Sequence, residues 1–113
     1  MSDCVFCKIA AGEIPATLVH EDDDVVAFRD LNPQAPVHVL IIPRRHIASV
    51  DDATEDDRDL LGRLLLVAKK IAAAEEISGG YRLVNNCGAP AGQSVFHIHV
   101  HLLGGRAMGW PPG

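Results

Sequence analysis

The sequence predicts an α+β fold: a five-stranded antiparallel sheet, one long helix and a short N-terminal helix, in a single domain spanning residues 1–113. Three observations predict it. From His97 to Leu103 imidazole and apolar residues alternate, which is the period of a half-buried strand. Val37 to Ile42 is a β-branched, nearly continuous apolar run stopped by Pro43, as a central strand should be. Between these two, Leu60, Leu64, Val67 and Ile71, with Leu61, Leu65, Ala68 and Ala72, recur at helical spacing on one broad face. The order is hairpin, strand, helix, hairpin, which favours an antiparallel sheet with a separate helix over a parallel one.

Each element has local support. Val5 to Ala11 holds good helix formers and stops at Gly12, and Pro15 then forces an extended path. Thr17 to His20 and Asp24 to Arg29 read as two strands joined by the acidic turn Glu21-Asp22-Asp23-Asp24. Asp30 to Pro36 is a loop stiffened by Pro33 and Pro36. Thr54 suits a helix N-cap, Glu55, Asp56 and Asp57 suit the positive end that follows, and Gly79-Gly80 closes the helix. Its apolar face is wider than so small a sheet needs, so part of it is expected to bury a second subunit. Tyr81 to Asn85 is a fourth strand and His97 to Leu103 the fifth. Arg106 to Gly113, with Trp110-Pro111-Pro112, is a tail outside regular structure.

Composition removes several function classes. At 113 residues and 48% apolar the chain has a real core and is not disordered. A net charge of −5 and a pI near 5.6 leave no electrostatic footprint for nucleic acid. No apolar run is long enough for a bilayer, and Met1 to Cys4 does not begin a signal peptide. Three cysteines, an odd number, argue for a reducing compartment, so the chain reads as cytoplasmic.

A strand repeats its facing every second residue, so His97, His99 and His101 are expected on one side at intervals of roughly 6–7 Å. Neutral imidazoles at such positions bind zinc well. They also serve as nucleophiles toward phosphorus, because their pKa lies near ambient pH. A hydrolytic zinc site commonly adds a carboxylate, and no Asp or Glu occurs from Asn86 to Gly113, which weakens the metal option. The bland alternative is three half-buried residues with no role. The preceding loop, Asn85 to Ser94, is small and polar, as a loop that meets a ligand through its backbone should be. Cys4-Val5-Phe6-Cys7 is by spacing half a zinc site; a redox pair and two buried thiols are the alternatives. Cys87 reads as incidental.

The stretch His97-Ile98-His99-Val100-His101-Leu102-Leu103 resembles the histidine-triad signature, three histidines alternating with apolar residues. The likeness extends through Val5-Phe6-Cys7-Lys8-Ile9, Glu13-Ile14-Pro15-Ala16, Ala35-Pro36-Val37-His38, Ile42-Pro43-Arg44-Arg45-His46-Ile47 and Gly92-Gln93-Ser94-Val95-Phe96. The tail from Gly104 to Gly113 is similar to that of the Hint branch, the histidine-triad nucleotide-binding proteins. The resemblance implies a homodimer with one continuous ten-stranded sheet, binding purine nucleotides and hydrolysing the P–N bond of nucleoside phosphoramidates. It implies His99 as nucleophile, His101 on the phosphate and Ser94 on the leaving-group side. His38 would sit behind the triad and fix tautomers. Gln93 and the backbone from Gly92 to Ser94 would donate to phosphate oxygens, and Asn86 would touch phosphate or ribose. Asp30 would take the ribose hydroxyls, and Phe6, Ile9, Phe28, Leu31 and Leu40 would form the base slot. In bacterial relatives with Cys-x-x-Cys, the resemblance further implies a structural Zn2+ on Cys4, Cys7, His46 and His97. The tail, residues 106–113, would reach toward the partner subunit. Two other functions compete with this one: hydrolysis of dinucleoside polyphosphates, and a nucleotide- or partner-binding module without catalysis.

Overall fold

The structure, a computed structural model, describes residues 3–113. Helix α1 (Val5–Ala10) leads into β1 (Leu18–Glu21) and β2 (Val25–Arg29), then β3 (Val37–Pro43). Helix α2 (Arg58–Ala74) precedes β4 (Tyr81–Val84) and β5 (Val100–Gly104). All five strands pair antiparallel in the order β1-β2-β3-β5-β4, as an α+β domain requires. No helix among the described residues is long and apolar enough to cross a membrane.

Alternation in the strands assigns each sheet face a job. Val25, Ala27, Val39, Ile41, Val100 and Leu102 point to one side and close over Leu64, Val67, Ala68, Ile71 and Ala72 of α2. Val26, Phe28, Leu40 and Ile42 point to the other and meet Phe6 of α1. A six-residue helix is too short to stand alone, so α1 exists because that second face holds it. The bidentate pair Arg29–Glu75 (2.8 and 3.1 Å) ties β2 to the end of α2.

Several boundaries differ from expectation, each for a local reason. Thr54 does cap, but what it caps is a 3-10 turn, Glu55–Asp57, through a capping box completed by Asp57; the α-helix proper starts one residue later. The helix ends at Ala74, ahead of Gly79-Gly80. Glu76 takes the left-handed position (φ 61°), and Ile77 N–H to Ala72 O with Glu76 N–H to Ala73 O completes a Schellman closure that carries no glycine. On α2 the predicted face holds at Leu60, Leu64, Val67, Ala68, Ile71 and Ala72. Leu65, however, is half exposed and lies off it, as does Leu66.

The largest correction concerns the histidine stretch. Pairing of β5 with β3 stops at Val100–Ile41, so His97, Ile98 and His99 lie outside the ladder. The reason is Pro43, which would oppose Ile98 but has no N–H to offer. Its carbonyl is taken instead by His97 Nε2 (2.8 Å), and Ile98 N–H finds Ile47 O (2.6 Å).

Candidate functional site

Over the α1 side of the sheet lies a cleft of ≈ 320 Å³. Its walls include Phe6 and Ile9 from α1, Phe28 and Leu40 from the sheet, and Val95; Asp30, Ser94, His99 and His101 stand at its polar end. Leu31 also borders it, but at 99% exposure it is rim rather than wall. Phe6 packs edge-on against Phe28 (5.4 Å between ring centres) and against His99 (5.1 Å), so the apolar wall and the imidazoles form one unit. A larger groove, ≈ 510 Å³, lies elsewhere among Asp23, Asp24, Arg44, Arg45, Asp56, Asp59, Leu60 and Arg63. Its arginines are already paired with carboxylates, Arg44 with Glu21, Arg45 with Asp57 and Arg63 with Asp22, which leaves little to recognise a ligand.

Backbone contacts decide which nitrogen of each histidine carries its proton. The carbonyl of His97 accepts from His99 Nδ1 (2.7 Å), so the neutral ring of His99 keeps a bare lone pair on Nε2. Gln34 N–H donates to His38 Nδ1 (3.0 Å), so the proton of His38 sits on Nε2. That Nε2 lies 2.9 Å from His101 Nδ1 and 3.4 Å from Asp30 Oδ2. His101 Nδ1 therefore accepts, and its own proton is left on Nε2. The rings of His99 and His101 are 5.0 Å apart. The result is a lone pair on one imidazole beside an N–H on the next.

Electrostatics favours the neutral forms of His38 and His101. Burial, then the neighbouring His99 and His38, push His101 down to about 4 from an ordinary 6.5, against an opposing pull from Asp30. Burial likewise lowers His38, again opposed by Asp30. A histidine lowered in the folded state takes up its proton later than in the unfolded chain, so acid favours unfolding. The contribution of His101 to stability is complete above pH 6.5 and is lost as pH falls toward 4. Melting temperature should therefore drop between about pH 7 and pH 4, and His101→Asn should flatten that slope. An unchanged slope in the variant would remove His101 from the account.

The first triad histidine belongs to a different cluster. His97 donates from Nε2 to Pro43 O, which leaves Nδ1 bare. That nitrogen lies 3.4 Å from Cys4 Sγ, 3.4 Å from Cys7 Sγ and 3.2 Å from His46 Nδ1, and Cys7 Sγ is 3.3 Å from His46 Nδ1. All four ligand atoms fall within 4.8 Å of one another. A tetrahedron with zinc-like bond lengths has edges of roughly 3.3–3.8 Å. The donor set, the bare His97 nitrogen and the spacings fit such an ion.

The loop between β4 and the histidines shows what sequence reasoning could not resolve. Gln93, expected on the phosphate, is turned inward. Its amide donates to Ala48 O (2.8 Å) and Val95 O (3.1 Å) and its oxygen accepts from Gly88 N–H (2.8 Å). The N–H groups of Gly92 and Gln93 also close the loop on Ala89 O and Gly88 O. So Gln93 braces the loop, and Ser94 is the residue this segment presents to the cleft. Asn86 lies against Gly92, which sits at φ +102° where a side chain would be strained. It is not a wall of the cleft. Several contributors were not foreseen, among them these. Thr17 lines the cleft, Gln34 sets His38 through its backbone, and Asn85 Nδ2 donates to His99 O (2.8 Å). Backbone roles leave no trace in residue type; only the Asn-Asn doublet offered a hint. The tail packs at its root, since Arg106 donates to Gln34 O (3.0 Å) and a Cβ on Gly105 would meet Pro36 at 2.9 Å. Beyond it Trp110 is 84% exposed.

Comparison with known proteins places these features among relatives. The model of the HIT domain matches residues 11–108, a span that holds the triad and leaves out Cys4 and Cys7. The chain is 55% identical over 111 residues to an uncharacterized HIT-like protein of Synechococcus elongatus, covering 98% of this chain and 97% of that one. A crystal structure of a HIT family hydrolase from Legionella pneumophila superposes with a TM-score of 0.97 at 60% identity, covering 98% of this chain and all of that one. A histidine triad nucleotide-binding protein from Candida albicans superposes at 0.83 with 35% identity, over 96% and 83% of the two chains.

Proposed function

The chain belongs to the HIT domain family, and from that premise we propose that it is a purine nucleotide-binding hydrolase that cleaves the P–N bond of nucleoside 5′-phosphoramidates through a nucleotidyl-imidazole on His99. The observation that carries this reading is the pair of tautomers at the cleft's polar end: a bare Nε2 on His99 next to an Nε2–H on His101. A nucleophile and an anion-stabilising donor side by side suit attack on phosphorus.

In this reading the base enters between Phe6, Ile9, Phe28 and Leu40, with Leu31 at the rim. Asp30 accepts from the ribose hydroxyls; one of its oxygens already accepts from Asn32 N–H (2.8 Å), which steadies the carboxylate. His101 donates to a phosphate oxygen as charge builds there. His99 Nε2 attacks phosphorus as the P–N bond breaks, and the departing nitrogen takes up a proton from solvent through the Ser94 hydroxyl and leaves as the neutral amine. Water then cleaves the P–N bond to His99 and releases the nucleoside monophosphate. Splitting the displacement in two lowers each barrier. Neutrality of His101 at physiological pH keeps its Nδ1 free to accept from His38, which holds the Nε2–H in position.

The proposal includes a Zn2+ held by Cys4, Cys7, His46 and His97. Four protein ligands leave no open position, so the ion would supply structure and no bound water. A cytoplasmic location, where thiols stay reduced, suits such ligands. It also includes a homodimer, supported by the exposed leucines 65 and 66 on α2 and by β4 as an edge strand.

Steady-state hydrolysis of an adenosine phosphoramidate, set against a dinucleoside polyphosphate and against AMP binding alone, tests the reading. Preference for the polyphosphate, or binding without turnover of either, would overturn it. The tail carries its own expectation. An exposed tryptophan on a stiff Pro-Pro segment suits docking at low entropic cost. Deleting Trp110 to Gly113 should reorder phosphoramidate substrates by leaving group while the dimer persists in sedimentation. An unchanged substrate ranking would leave the tail without a part in specificity.

A further inference from the structure

The backbone that carries His99 is not held by the sheet. Pairing between β4 and β5 ends at Val84–His101, and pairing between β3 and β5 ends at Ile41–Val100. At residue 99 a ladder would normally supply an N–H from the neighbouring strand to the carbonyl. Here β4 has already ended, because the chain turns away at Asn85 to build the loop that presents Ser94. The carbonyl of His99 would otherwise lack a strand partner, and it accepts instead from the side-chain amide of Asn85 at 2.8 Å.

From this juxtaposition we propose that Asn85 is a positioning residue for the nucleophile. Its amide stands in for the missing ladder bond, locks the main chain of His99 and so holds the ring in place. Besides its edge contact with Phe6, the ring has one hydrogen bond, Nδ1 to His97 O at 2.7 Å, between residues only two apart in the chain. Such a bond survives only while the local main-chain angles do. Loss of the Asn85 contact frees those angles, weakens the Nδ1–H bond and lets the proton move to Nε2, the atom that must attack. Asn85 also joins the root of the loop to the histidine segment. Among the described residues no other hydrogen bond reaches that carbonyl.

The inference rests on His99 being the nucleophile, and its test separates the two. Asn85→Leu keeps the side-chain bulk and removes the donor; Asn85→Gln keeps an amide. With adenosine phosphoramidate, Asn85→Leu should lose about tenfold in kcat, what one hydrogen bond of this kind can supply. Binding of AMP, which needs the base slot and Asp30, should stay within about twofold. Asn85→Gln should recover part of kcat. Imidazole 15N spectra, which need no substrate, should show His99 as a single Nδ1–H tautomer in the wild type and as a mixture in Asn85→Leu. A kcat within about twofold of wild type in Asn85→Leu would overturn the inference. So would equal losses of kcat and AMP affinity, or a His99 tautomer indifferent to the change. Absence of phosphoramidate turnover in the wild type would overturn the function instead, and the spectra would still decide for or against Asn85.

Discussion

His99→Ala should abolish phosphoramidate turnover, by about 10⁴-fold or more, while AMP still binds with near wild-type affinity. The size of the loss follows from the geometry. His99 Nε2 is the bare imidazole nitrogen at the cleft's polar end, and His97 O holds the proton on the opposite nitrogen. His101 cannot replace it, because its Nδ1 accepts from His38 and its Nε2 carries the remaining proton. Among the described residues, no base is in hydrogen-bonding contact with Ser94. Binding survives because the base slot is built from Phe6, Ile9, Phe28 and Leu40, and of these only Phe6 loses a ring contact. The measurement is a single-turnover rate beside a calorimetric affinity for AMP. Turnover within tenfold of wild type would sink the assignment of His99.

The second large effect concerns the cluster at α1. Protein as purified should carry about one zinc per chain, and its removal should lower the melting temperature by more than about 10 °C. The physical reason is that Cys4 caps and Cys7 belongs to a helix of six residues, too short to persist unaided. An ion shared with His46 and His97 would pin that helix to the segment that leads into the nucleophile. Cys7→Ala should reproduce both losses. At a temperature where the stripped protein stays folded, specific activity should fall less than stability does. Zinc absent after zinc-supplemented expression would count against the site. Instant, reversible loss of catalysis with an unmoved melting temperature would place the metal at the chemistry instead.

These expectations draw on the sequence and on the fold unequally. Alternation alone placed His99 and His101 toward the cleft and Val100 and Leu102 in the core under α2, because side-chain facing alternates along an extended backbone. The helical face needed only its period, apart from Leu65, where a face read too broadly met a sheet too narrow to cover it. Cys-x-x-Cys was legible as half a metal site because metal-ligand types are few and distinctive, whereas His46 and His97 entered only through the family resemblance. Composition also carried the acidic turn: Asp22 Oδ1 does accept from Asp24 and Val25 N–H (2.8 and 2.9 Å).

What the sequence by itself determined is which residue types meet: imidazoles with an apolar slot, thiols with imidazoles, a carboxylate at Asp30. What only the tertiary structure decided is how each of them is held. Pro43 stops the ladder at Val100, one residue short of the nucleophile, which could be known only once β3 and β5 were in register. Gln93 turns inward because Ala48 O, Val95 O and Gly88 N–H happen to converge on it. The protons of His99 and His38 follow from one carbonyl and one amide of the main chain, and that of His101 follows from His38. Such groups are identical in every residue, so no pattern of side chains can announce them. Residue chemistry is local and is written in the chain; hydrogen-bond partnership is a matter of where the backbone passes, and that is known only when the chain is folded.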